Sequence, residues 1–319
     1  TFFKVVYRRH TNFSMEEIAQ TGSGTEALGG ETTYTISRNG DLVHKMYVEI
    51  SLNNPGQMAG NFGHAVLEEV ECEIGGQKID KHYGHWLTTW SDLTDVNMVG
   101  SMSHGASNCI FASESNTKYA PTKYQKMSGI AHHSVTVDAS SVAVRKDHGT
   151  FFVPLRFWFN RNPGLALPLI ALQYHEVKIK IKYGSTALVA NADTFGSFKF
   201  YTQYIYLDTD ERRRFAQVSH EYLIEQLQFQ SESSKSTFTL NFNHPVKEII
   251  WRPTSVADVN TVSAASPTND NTFHPSGSAE WQLKLNGHDR TSLRHITHYT
   301  RQQICLLYTS PSPRDDELS

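Results

Sequence analysis

Apolar and polar residues alternate along most of this chain. Leu42, His44, Met46, Val48, Ile50 and Leu52 fall on one side of an extended segment, with Lys45, Glu49 and Ser51 on the other. Val177, Ile179 and Ile181 alternate with Lys178, Lys180 and Lys182. Phe238, Leu240 and Phe242 alternate with Thr237, Thr239 and Asn241, and Trp281, Leu283 and Leu285 with Gln282 and Lys284. A period of two is that of a strand with one buried and one wet face. Helical periodicity is rare. Its clearest stretch covers residues 80–93, with Asp80 as N-cap and Trp86, Leu87 and Trp90 on one face.

The first part of the chain predicts eight strands, near residues 13–21, 32–37, 42–52, 66–74, 134–144, 151–159, 171–183 and 198–207. Clusters such as Asn53-Asn54-Pro55 and Gly75-Gly76 separate many of them. Asn39-Gly40 between two alternating runs predicts a hairpin, because both residues tolerate positive φ. Eight antiparallel strands with long excursions suit a sandwich or jelly roll. No strand–helix–strand rhythm argues for a parallel sheet. The run Asp208-Thr209-Asp210-Glu211-Arg212-Arg213-Arg214 then reads as a solvated connector. Strands resume near residues 222–229, 236–243, 246–252 and 279–285, and residues 254–278, rich in Ser, Thr, Asn and Pro, read as a long loop.

The two parts repeat one another. Thr33-Tyr34-Thr35-Ile36 is matched by Thr237-Phe238-Thr239-Leu240, Asn39 by Asn243, Glu69-Val70 by Glu280-Trp281, Ile74 by Leu285 and Gly76 by Gly287. The order and spacing predict two tandem copies of one β domain, the second stopping after its fourth strand.

Composition narrows the function. The 319 residues are 39% hydrophobic and 19% charged, which suits a globular chain with a core. A net charge of −3 and pI near 6.6 provide no positive field for a phosphate backbone, so direct nucleic-acid binding is not expected. Cys72, Cys109 and Cys305 are far apart and odd in number, as in a reducing compartment. The longest apolar run, residues 164–172, contains Pro168 and falls short of the ~20 residues of a membrane span.

Candidate chemistry is sparse. His82/His85 and His295/His298 are HxxH pairs, and His132 and His133 are adjacent. On a helix His82 and His85 could share a face, but only Asp80 and Asp92 lie near as further ligands, so packing is the favoured role. No HxH pair of the cupin type occurs, nor GxSxG, Walker or HExxH motifs; His175-Glu176 and His220-Glu221 lack the second histidine. Glu16-Glu17 and Glu68-Glu69 are strand neighbours that point to opposite faces, poor partners for acid–base work. Asn12-Phe13-Ser14 is the single N-glycosylation sequon, and a structural role for Asn12 is favoured. No catalytic, cofactor-binding or metal-binding residue is assigned, no cofactor is expected, and the protein is read as a non-enzyme.

Several tags together resemble one family. Tyr7-Arg8-Arg9-His10-Thr11-Asn12-Phe13, Ile36-Ser37-Arg38-Asn39-Gly40-Asp41-Leu42 and Ile74-Gly75-Gly76-Gln77-Lys78-Ile79-Asp80 are similar to the major capsid proteins of nucleocytoplasmic large DNA viruses, phycodnavirus-like members above all. So are Pro168-Leu169-Ile170-Ala171-Leu172-Gln173-Tyr174-His175-Glu176-Val177, Glu211-Arg212-Arg213-Arg214-Phe215, His220-Glu221-Tyr222-Leu223-Ile224-Glu225-Gln226, Asn243-His244-Pro245-Val246-Lys247 and Leu285-Asn286-Gly287. The resemblance covers residues 1–304.

It implies an all-β double jelly roll of two tandem eight-stranded sandwiches, the second truncated here. The division is a first jelly roll at 1–208, a charged linker at 209–219 and the N-terminal half of a second jelly roll at 220–304. It also implies a homotrimeric, pseudo-hexagonal capsomer tiling an icosahedral shell in the virion, assembled in the host cytoplasm. Neighbouring capsomers, minor capsid proteins and an inner viral membrane are the implied partners. Lys178, Lys180 and Lys182 could face such a partner, or serve only solubility and edge protection. The tail at 305–319 resembles translated sequencing-adaptor read-through and is expected to be non-native. A jelly-roll glycan-binding module, lectin or receptor binder, is the alternative.

Overall fold

The computed structural model describes residues 12–52, 62–94, 123–128, 150–185, 195–232, 237–251, 280–295 and 298–303. Ten strands of the first part are β1 (Phe13–Gln20), β2 (Gly22–Gly24), β3 (Glu31–Thr35), β4 (Leu42–Leu52), β5 (Leu67–Ile74), β6 (Gln77–Tyr83), β7 (Thr150–Pro154), β8 (Leu167–Pro168), β9 (Val177–Tyr183) and β10 (Phe195–Leu207). Helices α1 (Phe62–Val66), α2 (Gly84–Thr94), α3 (Lys123–Ser128) and α4 (Trp158–Arg161) lie between them, and α5 (Thr209–Gln217) follows β10.

Two antiparallel sheets result. One has the order β1-β10-β4-β7 with β8 beside β4, the other β2-β3-β9-β5-β6. Set aside the short β2 and β8, and the remaining eight strands pair first with last, second with seventh, third with sixth and fourth with fifth. The contacts β10–β4 and β9–β5 then join these pairs into two four-stranded sheets. A long hairpin wrapped in this way is a jelly roll.

The core lies between the sheets. Inward positions of β4 and β9 are the apolar ones of the alternation: Met46, Val48, Ile50, Ile179 and Ile181 are at most 1% exposed. Each such side chain contributes about 1.5–3 kcal/mol on burial. Tyr34 of β3 lies against Phe200 at 4.8 Å, and Tyr183 of β9 stacks on Phe198 at 4.0 Å, so aromatic pairs tie one sheet to the other.

Four sequence expectations for the elements of the first part of the chain need correction. Residues 80–93 are not one helix: β6 runs through Asp80, and α2 starts at Gly84. The turn at Gly75-Gly76, with φ +60° and +83°, returns the chain as a strand paired with β5, and Asp80 becomes a buried strand residue instead of an N-cap. Asn39-Gly40 is not a hairpin turn, because β3 and β4 belong to different sheets. Gly40 instead admits a close approach, since a Cβ there would lie 2.7 Å from Tyr204 Cβ. The segment 171–183 is a strand only from Val177, preceded by turns in which Leu172 and His175 amides bond to Pro168 and Leu172 carbonyls. The segment 151–159 leaves the sheet at Pro154 and enters α4, where Asn160 Oδ1 accepts from the Phe157 amide at 3.2 Å.

The expected strand at 134–144 and the tail at 305–319 lie outside the described residues, as do His132, His133, Cys109 and Cys305. In the second part only short pairs form: β11 (Glu280–Trp281) with β14 (Arg294–His295), and β12 (Lys284–Leu285) with β13 (His288–Asp289). The described portions of 222–229, 236–243 and 246–252 form no strand. Side-chain amides explain this for two of them. Gln228 donates to Asn243 O and accepts from Asn243 N, both at 2.8 Å, while Gln230 bonds Thr239 O at 2.7 Å and Asn241 N at 3.1 Å. These amides occupy the backbone groups a ladder would use and hold the segments a side chain apart. An aromatic group of Phe238, Trp251, Trp281 and Tyr299 packs beside them.

Candidate functional site: charged sheet face and domain junction

The outer face of the second sheet is built by strand register. Glu69, Glu71 and Glu73 of β5 stand opposite Lys182, Lys180 and Lys178 of β9, and Glu71 and Glu73 face Lys81 and Lys78 of β6. Ion pairs run diagonally: Lys81–Glu69 at 2.7 Å, Lys78–Glu71 at 3.3 Å, Lys182–Glu68 at 2.9 Å, and Lys180 with Glu73. Lys178 pairs with Glu176 at 3.2 Å. Each of the three lysines read as a cationic strip therefore has an acidic partner, two of them within their own sheet. The hydrogen bond to Glu73 raises the Lys180 pKa above its ordinary value. Such exposed pairs contribute little individually but oppose a register slip, which would place like charges together. Glu71→Lys, set among Lys78 and Lys81, should lower stability by about 1 kcal/mol in urea unfolding, with a larger loss at low ionic strength.

Asp41 forms the junction with α5. It is 8% exposed, accepts from the Leu207 amide at 2.8 Å and pairs with Arg212 Nε at 3.0 Å. The charged run thus forms a helix, capped by Asp208 and tied back to the first sandwich through one arginine. Asn12 Nδ2 reaches Asp208 Oδ2 at 3.4 Å, so the sequon asparagine belongs to this junction.

The histidines of each HxxH pair lie on different elements. His82 lies on β6, 3% exposed, while His85 lies exposed on α2, so the two share no helical face. His82 Nε2 sits 2.9 Å from Asp80 Oδ2, and its ring stacks on Phe157 at 4.4 Å. His298 bonds Gln302 at 2.8 Å, and His295 lies on β14. Among the described residues no group of three or more His, Cys, Asp or Glu could hold a metal. Of the carboxylates read as poor acid–base partners, Glu17 accepts from Tyr47 at 2.9 Å and Glu16 from Tyr206 at 3.0 Å, both at the surface. Glu68 and Glu69 do not point to opposite faces as expected, because a bulge at the start of β5 brings both to the outer face, each paired with a lysine. Sequence reasoning missed the Asp80–His82 contact and the Asp41–Arg212 pair. For Asp80 and His82 the available signal was a polar residue at an inward strand position; Asp41 precedes β4 and carried no such signal.

Comparisons with known proteins identify the class. The family described as "Major capsid protein N-terminus" matches residues 1–208, and "Large eukaryotic DNA virus major capsid protein" matches residues 211–316. The chain is 48% identical over 301 residues to the major capsid protein of Pyramimonas orientalis virus, covering 92% of this chain and 67% of that protein. It is 42% identical to capsid protein 1 of Acanthamoeba polyphaga mimivirus, covering 79% of this chain and 44% of that protein. It is 36% identical to the major capsid protein of Paramecium bursaria Chlorella virus 1, covering 95% of this chain and 72% of that protein. The chain thus spans between about half and three quarters of the length of these relatives. The crystal structure of PBCV-1 VP54 superposes with a TM-score of 0.67 at 32% identity, covering 95% of this chain and 76% of that one. A quasi-atomic model of the PBCV-1 capsid gives 0.65 at 31% identity with the same coverage.

The fold is therefore an all-β double jelly roll. The chain belongs to the major capsid proteins of large eukaryotic DNA viruses. This is a family of virion structural proteins, not of enzymes, and the glycan-binding alternative finds no support among the matches.

Proposed function

We propose that this chain is a self-assembling capsid subunit that forms trimers of pseudo-hexagonal outline and builds an icosahedral shell. The observation that carries the reading is the match to VP54 along 95% of the chain at 32% identity. The physical logic is geometric. Rigid sandwiches fix the loops that make contacts. A cyclic trimer repeats one heterologous interface three times and closes. Obligate interfaces commonly bury 2,000–5,000 Å² or more, roughly, which is how weak individual contacts give a stable particle.

The domain reading belongs to the same proposal: a first jelly roll at 1–208, a connector at 209–219 and part of a second jelly roll at 220–304. The two family matches, which meet between residues 208 and 211, support it. Assembly in the host cytoplasm follows from the same reading, as do contacts with minor capsid proteins and an inner membrane. The paired lysines of β9 offer such partners no free basic strip. The test is particle mass by light scattering on protein from the reading frame that carries this sequence. Three chains per particle are expected. A monomer that stays monomeric at high concentration overturns the reading.

A further inference from the structure

After α5 the chain turns back on the first sandwich. His220 stacks on Phe215 at 5.0 Å, and its Nε2 lies 2.8 Å from Phe215 O. The following segment runs without secondary structure beside β6, the last strand in the order of its sheet. It makes no backbone ladder with β6. Leu227 N donates to Asp80 Oδ1 at 2.9 Å, and Gln226 Nε2 donates to Ile79 O. Phe229 lies 5.1 Å from the Tyr83 ring, and Ile224 packs against the core of the first sandwich. Arg161 Nη1 pairs with Glu225 at 2.9 Å while its guanidinium sits 4.8 Å from the Trp90 ring centre. Lys247, from the next segment, pairs with the same Glu225.

From these contacts we infer that residues 224–229 are a latch, with the Asp80 carboxylate as its catch, that fixes the second part of the chain on the first jelly roll. The partner of this edge of β6 is therefore the chain's own second part, an inference that rests on the two-part reading above. Asp80 carries the argument because it is 3% exposed. A buried carboxylate is costly unless donors satisfy it. Oδ1 accepts from Lys81 N at 2.9 Å and from Leu227 N at 2.9 Å, whereas Oδ2, 2.9 Å from His82 Nε2, accepts no hydrogen bond of its own, so the two donors on Oδ1 carry the satisfaction of this group. A donor supplied by the strap ties the energy of this charge to the strap's position. His82 is in turn held by its stack on Phe157, so the catch is anchored in the core. Because side chains make the contact, a gap of about 220 Å³ remains between strap and strand, lined by Lys78, Lys81, Tyr83, Gln228 and Phe229 among others. Such a joint can open without breaking a sheet ladder.

Hydrogen exchange read by mass spectrometry tests the latch. Asp80→Ala should accelerate exchange in peptides spanning 222–230 by about tenfold, the effect of losing one hydrogen bond to a charged group. Peptides of β9 should keep the wild-type rate. Asp80→Asn, which retains an acceptor for the Leu227 amide, should recover part of the protection. Glu225→Ala, outside the sandwich core, should accelerate the strap alone and so keeps the test open if Asp80→Ala does not fold. Unchanged strap exchange in both alanine variants overturns the latch, as does equal acceleration of β9. Particle mass on the same samples separates the two readings. A trimer with an indifferent strap sinks only the latch, and a wild-type monomer with a protected strap sinks only the capsid reading.

Discussion

Above pH 10 the first sandwich should lose stability, with Tyr34 alone contributing up to about 1.4 kcal/mol per pH unit and Tyr183 and Tyr204 adding in the same direction, because the unfolded chain releases protons that the buried tyrosines hold. Tyr34, Tyr183 and Tyr204 are each 0% exposed. Burial raises all three pKa values above the ordinary tyrosine value, and Tyr34 is raised further by the neighbouring Tyr183 and by Glu26. Their hydroxyls are fixed by hydrogen bonds: Tyr34 to Tyr183 at 3.0 Å and to Glu26 at 3.1 Å, and Tyr204 to Ser37 O at 2.6 Å. A group whose folded pKa is raised holds its proton in the native state while the unfolded chain releases it. Stability is therefore fully present below the unfolded tyrosine value of about 10 and falls as pH rises toward the folded values. Cys72 acts in the same direction from about pH 8.5, since burial, with Asp80, Glu71 and Glu73 nearby, pushes its thiol up. The urea midpoint should drift down slightly from pH 8.5 and drop sharply above 10. Tyr34→Phe should flatten the slope by about 1.4 kcal/mol per pH unit, one proton's worth. A midpoint independent of pH between 9 and 11.5 would contradict the buried network.

The strands that sequence pattern predicted best are those with one face wholly in the core. From His44 to Leu52 the alternation of β4 maps onto burial, with His44 inward and its Nδ1 2.8 Å from Phe159 O, while Val43 at the strand start is buried as well. Period alone could not say which sheet a strand joins, so Asn39-Gly40 looked like a hairpin although the chain there crosses between sheets. Aspartate serves both as helix cap and as buried acceptor, and Asp80 was assigned the commoner role. Its actual partner, Leu227, is 147 positions away, beyond any local signal. The lysines of β9 were visible as a strip, but the pairing of Lys180 and Lys182 depends on glutamates of β5 more than a hundred residues earlier, while Lys178 is paired by nearby Glu176. The complementary spacing of Glu69, Glu71 and Glu73 was the readable clue. In the second part, alternation at Phe238 and Leu240 promised strands, yet Phe238 remains 37% and Leu240 43% exposed. An apolar period describes what a segment is suited to pair with, and the glutamine contacts decide what it pairs with here.

Replacing Gly84 with alanine should cost about 3 kcal/mol or more, at the upper end of overpacking effects. Gly84 opens α2 directly after β6, and its backbone lies outside the left-handed region, so alanine meets no conformational strain. Propensity favours alanine over glycine in a helix by up to about 1 kcal/mol. Space decides the sign. A Cβ at this position would lie 2.2 Å from His64 O and 2.9 Å from Leu67 O, both backbone atoms that no rotamer change can withdraw. Relief requires α1 to move away from α2. That would pull Phe62 and Val66, each 0% exposed, out of the core. It would also stretch the contact of His64 Nδ1 with Thr88 Oγ1, now 2.9 Å, whose hydroxyl in turn donates to Gly84 O at 3.2 Å. The loss should appear as a lowered urea midpoint with an unchanged slope, because the amount of surface exposed on unfolding stays the same. A variant more stable than the wild type would show that α1 yields freely and that the close approach at Gly84 constrains nothing.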